Sequence, residues 1–530
     1  MLLYGDRKQI ADPREGLTRI GDELAILASM PAGIERHAKL VGALIEAGQI
    51  QQGVEDEGCE SAELSRFVYA LAASVLRSWD SRYSEIGDIP EVPQMRLPQA
   101  VEFRLPEGFA FYAVYPEQFI EAARRLELRG APRVIGIRSI GTTLGAVVAA
   151  ALDAPPPDTV RPFGDPFARQ AELPPGIVEN GAHYVIVDEG PGLSGSSFGA
   201  VADWLQARGV PLERIAFLPS HDGDPGAKAS DVHRMRWRKA QRVPAQFDPA
   251  FLRDVAGALE PFSTGSPWER LKFRAAWNGE PVLLKFAGLG AIGECKLAMA
   301  RALHAGGFTP EPLGLLHGFL VERWLADAQP LATNDNPVEE IGRYIGARAK
   351  LFPAARSDGA SIKQLLAMAR RNIELALGAG AQSALDSCDV DALQLRVHRV
   401  RTDNRLDRGE WLRLRDGRLI KTDALDHHQG HDLVGCQDPA WDVAGAVVEF
   451  GLDDDQTAAL IAATGLFLDR SLLDFYLVSY CAFRAGQTAL AAEMGQAAAT
   501  RCCAPNRYTH HLSLLLQRTR CGTRQESLVG

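Results

Sequence analysis

The chain has 530 residues, 46% hydrophobic and 23% charged, with a formal net charge of −10. That length predicts two or three domains, and the apolar fraction excludes pervasive disorder. An acidic balance with no dense Lys/Arg stripe argues against nucleic acid as a partner.

No run reaches the roughly 18 apolar residues of a membrane span. The first residues show no basic stretch followed by an apolar core, so no secretory leader is expected. The cysteines at 59, 295, 388, 436, 481, 502, 503 and 521 form no CxxC pair. In a chain this long they do not suggest a disulfide scaffold, and the expected location is cytoplasmic.

In chain order, residues 14–85 carry apolar side chains at helical spacing, with Leu40, Val41, Leu44 and Ile45 on one face. Pro90, Pro93 and Pro98 break that pattern, giving a helical N-terminal segment and linker over 1–98. From 109 to 219 short apolar runs alternate with amphipathic stretches, the pattern of a largely parallel sheet. Residues 247–259 predict a helix within a polar, proline-containing stretch. Residues 268–325 predict strands around one helix at 291–305. Beyond Pro337 the chain is mostly helical, with a strand-rich patch at 396–425. The expected fold class is multidomain, α/β and α+β, with units at 1–98, 99–262 and 263–530.

Tyr184-Val-Ile-Val187 is a β-branched run that leads into Asp188-Glu189 and then Gly190-Pro-Gly-Leu-Ser194-Gly195-Ser196-Ser197. Phe198, Val201, Ala202 and Leu205 follow on one helix face. A strand ending in a small-residue loop that opens a helix suits an anion, because amide groups and the helix dipole point at it. The two carboxylates suit something beside the phosphate, such as sugar hydroxyls or a magnesium shell.

The segment VIVDEGPGLSGSS resembles the phosphoribosyl-pyrophosphate motif of type I phosphoribosyltransferases. The resemblance covers about residues 109–220. It implies that Asp188 and Glu189 hold the ribose hydroxyls and act in catalysis. It also implies that Ser194, Gly195, Ser196 and Ser197 cradle the 5′-phosphate. Upstream, Val134-Ile-Gly-Ile137 and the turn after it imply a pyrophosphate site at Arg138, Ser139 and Gly141. Glu189, where aspartate is common, and Pro191 within the loop depart from the family. Arg161 and Arg169 read as solvated arginines, with reach to a phosphate as the alternative.

Asn278-Gly279 lies between two apolar runs and predicts a hairpin whose second strand carries Lys285. Glu294 opens the next helix; a lysine held by a helix carboxylate is the pair kinases use on nucleotide phosphates. Asp403, a predicted hairpin at Asp416-Gly417, and then Asp423 suit phosphoryl transfer, one carboxylate orienting a hydroxyl and the other holding magnesium.

CQDPAWDVAGAVVEF, around Asp438 and Asp442, resembles a segment of aminoglycoside phosphotransferase and choline kinase-like proteins. GFLVERWL resembles their adenine-binding hinge strand and brings in Glu322. The resemblance covers about 268–500 and predicts a two-lobed kinase-like unit. It implies Lys285, Glu294 and Glu322 as nucleotide-binding residues, Asp403 as catalytic aspartate and Asp423 as metal ligand. Arg401 stands where the family has histidine. The family's metal-binding asparagine is missing, with Glu410 the nearest substitute. His427, His428 and His431 read as solvated, the alternatives being a metal pair of His427 and His431 on one helix face or a loop lining the acceptor pocket.

Together the motifs predict a bifunctional transferase. One half transfers phosphoribose from phosphoribosyl pyrophosphate; the other uses ATP or GTP to phosphorylate a small-molecule hydroxyl, with magnesium in both. The alternatives are a single active half beside a nucleotide-binding regulatory module, or two ligand-sensing modules. The expected partners are small molecules, with no membrane and no nucleic acid; the N-terminal helices are candidates for capping the first site, for homo-oligomer contacts or for binding a partner.

Overall fold

A computed structural model describes residues 8–59, 61–263, 269–332, 335–430, 434–493 and 505–526. Strand β1 (Lys8–Ala11) leads into helices α1 (Pro13–Leu27), α2 (Ile34–Asp56) and α3 (Ala62–Asp80). Asp12 caps α1 by accepting from the Arg14 amide, and Pro13 pre-sets its first turn. The buried residues Leu64, Phe67, Val68, Leu71 and Val75 of α3 recur at helical spacing, as an amphipathic helix requires. The proline stretch that follows is irregular, and β2 (Val101–Arg104) returns antiparallel to β1.

Helices α4 (Glu107–Phe111) and α5 (Pro116–Arg124) precede the parallel sheet. Its elements are β3 (Pro132–Ile137), α6 (Ile140–Ala151), β4 (Asp158–Val160), a small hairpin of β5 (Phe163–Asp165) and β6 (Ala168–Gln170), β7 (His183–Val187), α7 (Ser196–Gln206), β8 (Ile215–Leu218), α8 (Asp231–Lys239) and β9 (Gln241–Arg242). The strand order is β4-β3-β7-β8-β9, all parallel. Strand β7 is buried throughout because both faces are covered. Tyr184 and Ile186 meet the α7 side, whereas Val185 and Val187 join the core that contains α1–α3.

Helix α9 (Ala250–Ala256) is shorter than the 247–259 predicted: Pro249 is its N-cap, Asp248 accepts from the Ala250 amide, and Gly257, at φ 68°, ends it. An antiparallel sheet then forms from β10 (Glu260–Pro261), β11 (Lys272–Trp277), β12 (Glu280–Phe286), β13 (Pro312–Leu316) and β14 (Phe319–Arg323), in the order β10-β11-β12-β14-β13. Helix α10 (Ala291–Ala305) lies between β12 and β13 and matches its predicted bounds. Asn278 and Gly279 both have positive φ, the tight hairpin turn expected of that pair.

The remainder contains β15 (Gln329–Pro330), α11 (Val338–Leu351), α12 (Ile362–Leu377), α13 (Val390–Arg396), β16 (Trp411–Arg413), β17 (Leu419–Lys421), α14 (Pro439–Phe450), α15 (Asp454–Thr464), α16 (Arg470–Glu493) and α17 (Pro505–Glu526). The patch at 396–425 holds only two short strands. Arg413 pairs with Leu419, and of Asp416-Gly417 only the glycine is left-handed, so the turn is longer than a two-residue hairpin.

One hydrophobic core runs across residues 98 and 262. It joins α1–α3, Tyr115 and Phe251 to Phe273, Phe286 and Phe319 of the antiparallel sheet. A second core, with Tyr344, Trp411, Trp441 and Tyr476, fills the helical remainder. Among the described residues no helix is long and apolar enough to cross a membrane.

Candidate functional site

From β3 the chain moves to β4 on one side and to β7 on the other. The crevice beyond the carboxyl ends of β3 and β7 is therefore a topological switch point. Gly136 lies opposite Val187 in register, so the turn after β3 sits beside the turn after β7. Both turns line a cavity of about 650 Å³, walled by Arg138, Ser139, Asp188, Glu189, Arg161 and Arg169. A Cβ on Gly136 would stand 2.2 Å from the Gly141 carbonyl, and one on Gly141 2.6 Å from that of Val187. Glycine at both positions lets the turn lie directly on the strand ends. Ser139 takes a left-handed φ of 113°, the kind of strain that gathers at binding turns.

The arginines are aimed by the N-terminal helices. Arg138 pairs with Glu55 and Asp56 at the end of α2, both at 3.1 Å, and donates to Thr159 Oγ1 at 2.9 Å. Arg161 also pairs with Asp56 and donates to the Arg138 carbonyl at 2.7 Å. Arg169 has no ion pair among the described residues. The Asp188 carboxylate accepts from the Glu189 amide at 2.8 Å. Burial pushes its pKa up to about 7, against that hydrogen bond and the pull of Arg169 and Arg161.

Ser197 also lines the cavity, whereas Ser194 and Ser196, predicted phosphate donors, are otherwise engaged. Their hydroxyls bond each other at 3.0 Å, and Ser196 donates to the Pro166 carbonyl at 2.8 Å, tying the loop to the β5–β6 hairpin. Gly195, at φ 62°, is the N-cap of α7. Gly141 and Gly195 thus shape the loops rather than wall the cavity.

A second cluster lies beside the antiparallel sheet. Lys285, buried near the end of β12, donates to Asp423 at 2.7 Å. Leu283 pairs with Glu322 in register, so Glu322 shares the Lys285 face, where burial raises its pKa and Lys285 opposes the rise. Glu294, predicted to hold Lys285, instead pairs with Lys39 of α2 at 2.6 Å, because the start of α10 faces the N-terminal helices. Lys296, further along α10, is buried against Asp426 at 2.6 Å.

Asp403 is fully buried. It accepts from Tyr344, lies 3.0 Å from His427 Nδ1 and 3.5 Å from the Lys421 ammonium. Burial would raise its pKa, but Lys421 and His427 hold it well below the carboxylate range. Lys421, ending β17, also donates to Glu410 and to the Asp423 carbonyl. Asp403, Glu410 and His427 converge as a donor set, yet the cation among them is an ammonium. Lys421 pairs with both carboxylates, so Glu410 serves as one of its counter-ions in this arrangement. Asp423, held far below its usual pKa by Lys285 and His427 despite burial, is likewise engaged by cations.

The DPAWD phrase has a structural task. Asp438 caps α14, and Asp442 accepts from the Asp403 and Asn404 amides at 2.8 and 2.9 Å. It therefore fixes the loop that presents Asp403.

Sequence reasoning missed Lys421, Lys296 and Lys39. A signal existed for Lys421, a charge closing an apolar strand two residues before Asp423. His427 is buried between Asp403 and Asp423 in a turn, so neither the solvated nor the helix-face expectation holds for it. His431, Cys502 and Cys503 lie outside the described residues.

Helix α4 touches both clusters. Gly108 lies against Glu189, where a Cβ would be 2.9 Å from Oε2. Lys296 donates to the Ala110 carbonyl at 3.3 Å, and Arg270 stacks on Phe111 at 4.4 Å.

No family model matches this chain, and no curated protein does. Solved structures similar to about half of it include small-molecule kinases. Choline kinase LicA from Streptococcus pneumoniae is 15% identical over 51% of this chain and 97% of its own, at a TM-score of 0.36. A choline/ethanolamine kinase family protein from Mesorhizobium loti is 18% identical over 51% and 90%, at 0.33. Macrolide 2′-phosphotransferase MphH from Brachybacterium faecium is 14% identical over 47% and 93%, at 0.32. At these scores the chemistry has to come from the geometry of the two clusters.

Proposed function

We propose that the cavity beyond β3 and β7 binds a phosphorylated sugar pyrophosphate of the phosphoribosyl pyrophosphate class and transfers its sugar to a small acceptor. The observation that carries this reading is the pairing of Asp188 and Glu189 with Arg138, Arg161 and Arg169 around one cavity at the switch point. Carboxylates accept from sugar hydroxyls, and guanidinium groups match phosphate oxygens with two parallel donors. Magnesium would enter as part of the substrate, on its pyrophosphate. Ser139 and the adjoining turn offer backbone donors to that leaving group, and Asp188 and Glu189 orient the ribose, so the residues contribute position and charge.

The second half is read as a nucleotide-binding, kinase-like module. Lys285, on one sheet face with Glu322 and paired with Asp423, supplies the ammonium that supports binding of nucleotide phosphates. Small-molecule phosphorylation by this half is a second reading, and it requires Lys421 to leave Asp403. Pyrophosphate release from phosphoribosyl pyrophosphate and magnesium, assayed across candidate nitrogenous acceptors, tests the first reading. Calorimetry with the donor alone is the decisive control: no heat with wild-type protein would end it. No phosphate transfer from ATP to any hydroxyl compound by the wild-type protein would end the second, and transfer that survives Lys285→Ala would remove it from the Lys285 site.

A further inference from the structure

Away from both clusters, three buried side chains from separate parts of the chain meet. His37 lies on α2, Glu117 on α5, and His317 in the turn between β13 and β14. His37 Nε2 is 2.7 Å and His317 Nε2 2.6 Å from the same oxygen, Glu117 Oε1. Glu117 Oε2 is equally buried and meets no hydrogen-bond partner. Two nitrogens therefore crowd one oxygen while the other is left without a donor, a costly arrangement in an apolar interior.

The surroundings hold the rings in place. His37 Nδ1 lies 2.9 Å from Ser78 Oγ, the outer contact that orients a ligating imidazole. His317 has φ 40° in a tight turn, where the turn itself would favour asparagine or glycine. Tyr115 donates to the His317 carbonyl at 2.7 Å and fixes that strained turn. The two rings stand edge to face, 5.3 Å apart.

We propose that His37, Glu117 and His317 bind one first-row divalent cation of the zinc class. Two imidazole nitrogens and a carboxylate suit zinc. A carboxylate gripping through both oxygens supplies four donor atoms and gives Glu117 Oε2 its partner. The ion replaces the Nε2 protons, so its affinity falls in acid. It joins α2, the parallel-sheet unit and the antiparallel sheet, and its role is structural.

The test uses the full chain, free of any histidine tag and purified without added metal. Elemental analysis is expected to find about one zinc-class ion per chain. Chelation is expected to remove it and lower the thermal unfolding midpoint, and zinc alone to restore that midpoint. His37→Gln and His317→Gln are each expected to lose the ion. Protein that carries no metal and whose midpoint ignores added zinc would overturn the proposal, leaving a proton-held clasp. So would a His37→Gln/His317→Gln double variant that still binds one zinc; because the wild-type measurement decides alone, misfolding of the variants does not rescue it.

Discussion

The Lys421 ammonium lies 3.5 Å from the Asp403 carboxylate, and neither side chain reaches solvent. Removing one member of a buried charge cluster leaves the others uncompensated, which typically costs about 3–5 kcal/mol. Lys421→Met is therefore expected to lose stability of that order in chemical denaturation. Adding Glu410→Gln should recover part of the loss, since it removes one orphaned charge. A Lys421→Met protein as stable as wild type would refute the counter-ion role.

His427 gives this cluster a pH dependence. Burial lowers its pKa, but Asp423 and Asp403 outweigh burial and push it up to about 8. An unfolded imidazole titrates near 6.5, so the bound proton contributes roughly 2 kcal/mol below that pH. The contribution fades as pH rises through 8. Unfolding free energies between pH 6 and 9 should show this decline, and His427→Gln should flatten it.

Asp188 titrates in the opposite sense for binding. Its carboxyl, pushed up to about 7 by burial, must be ionised to accept from sugar hydroxyls. Affinity for magnesium phosphoribosyl pyrophosphate should rise between pH 6 and 8. Asp188→Asn should weaken binding about 10- to 100-fold, the scale of a hydrogen bond to a charged group, and remove the pH slope. Nucleotide binding should be untouched.

Two of the three cavity arginines separate stability from binding. Both line the cavity, but Arg161 is tied to Asp56 and the Arg138 carbonyl, while Arg169 has no ion pair among the described residues. Arg169→Ala should weaken sugar-pyrophosphate binding by about tenfold with an unchanged melting temperature. Arg161→Ala should lower both. Equal stability losses would mean that Arg169 is also structural.

Gly290 joins the N-terminal helices to the antiparallel sheet. Its φ is 56°, and a Cβ there would stand 2.8 Å from the Gly42 Cα of α2. Gly290→Ala should destabilise the protein by about 1–3 kcal/mol, through backbone strain and forced separation. An unaltered unfolding midpoint would show that the contact yields freely.

Local pattern determined a good deal of this protein. The β-branched run ending at Val187, the Asn278-Gly279 turn and the helix at 291–305 follow from propensity and turn chemistry, which act over a few residues. The small-residue loops at 138–141 and 190–197 were legible for the same reason. What charged groups do was legible only in part. Glu294 sits where expected on its helix, yet its partner Lys39 is 255 positions away in sequence, outside any local window. Lys421 against Asp403, and His37 and His317 against Glu117, were decided only when separate elements packed. Desolvation and pairing depend on which surfaces meet, and a linear pattern does not carry that distance information.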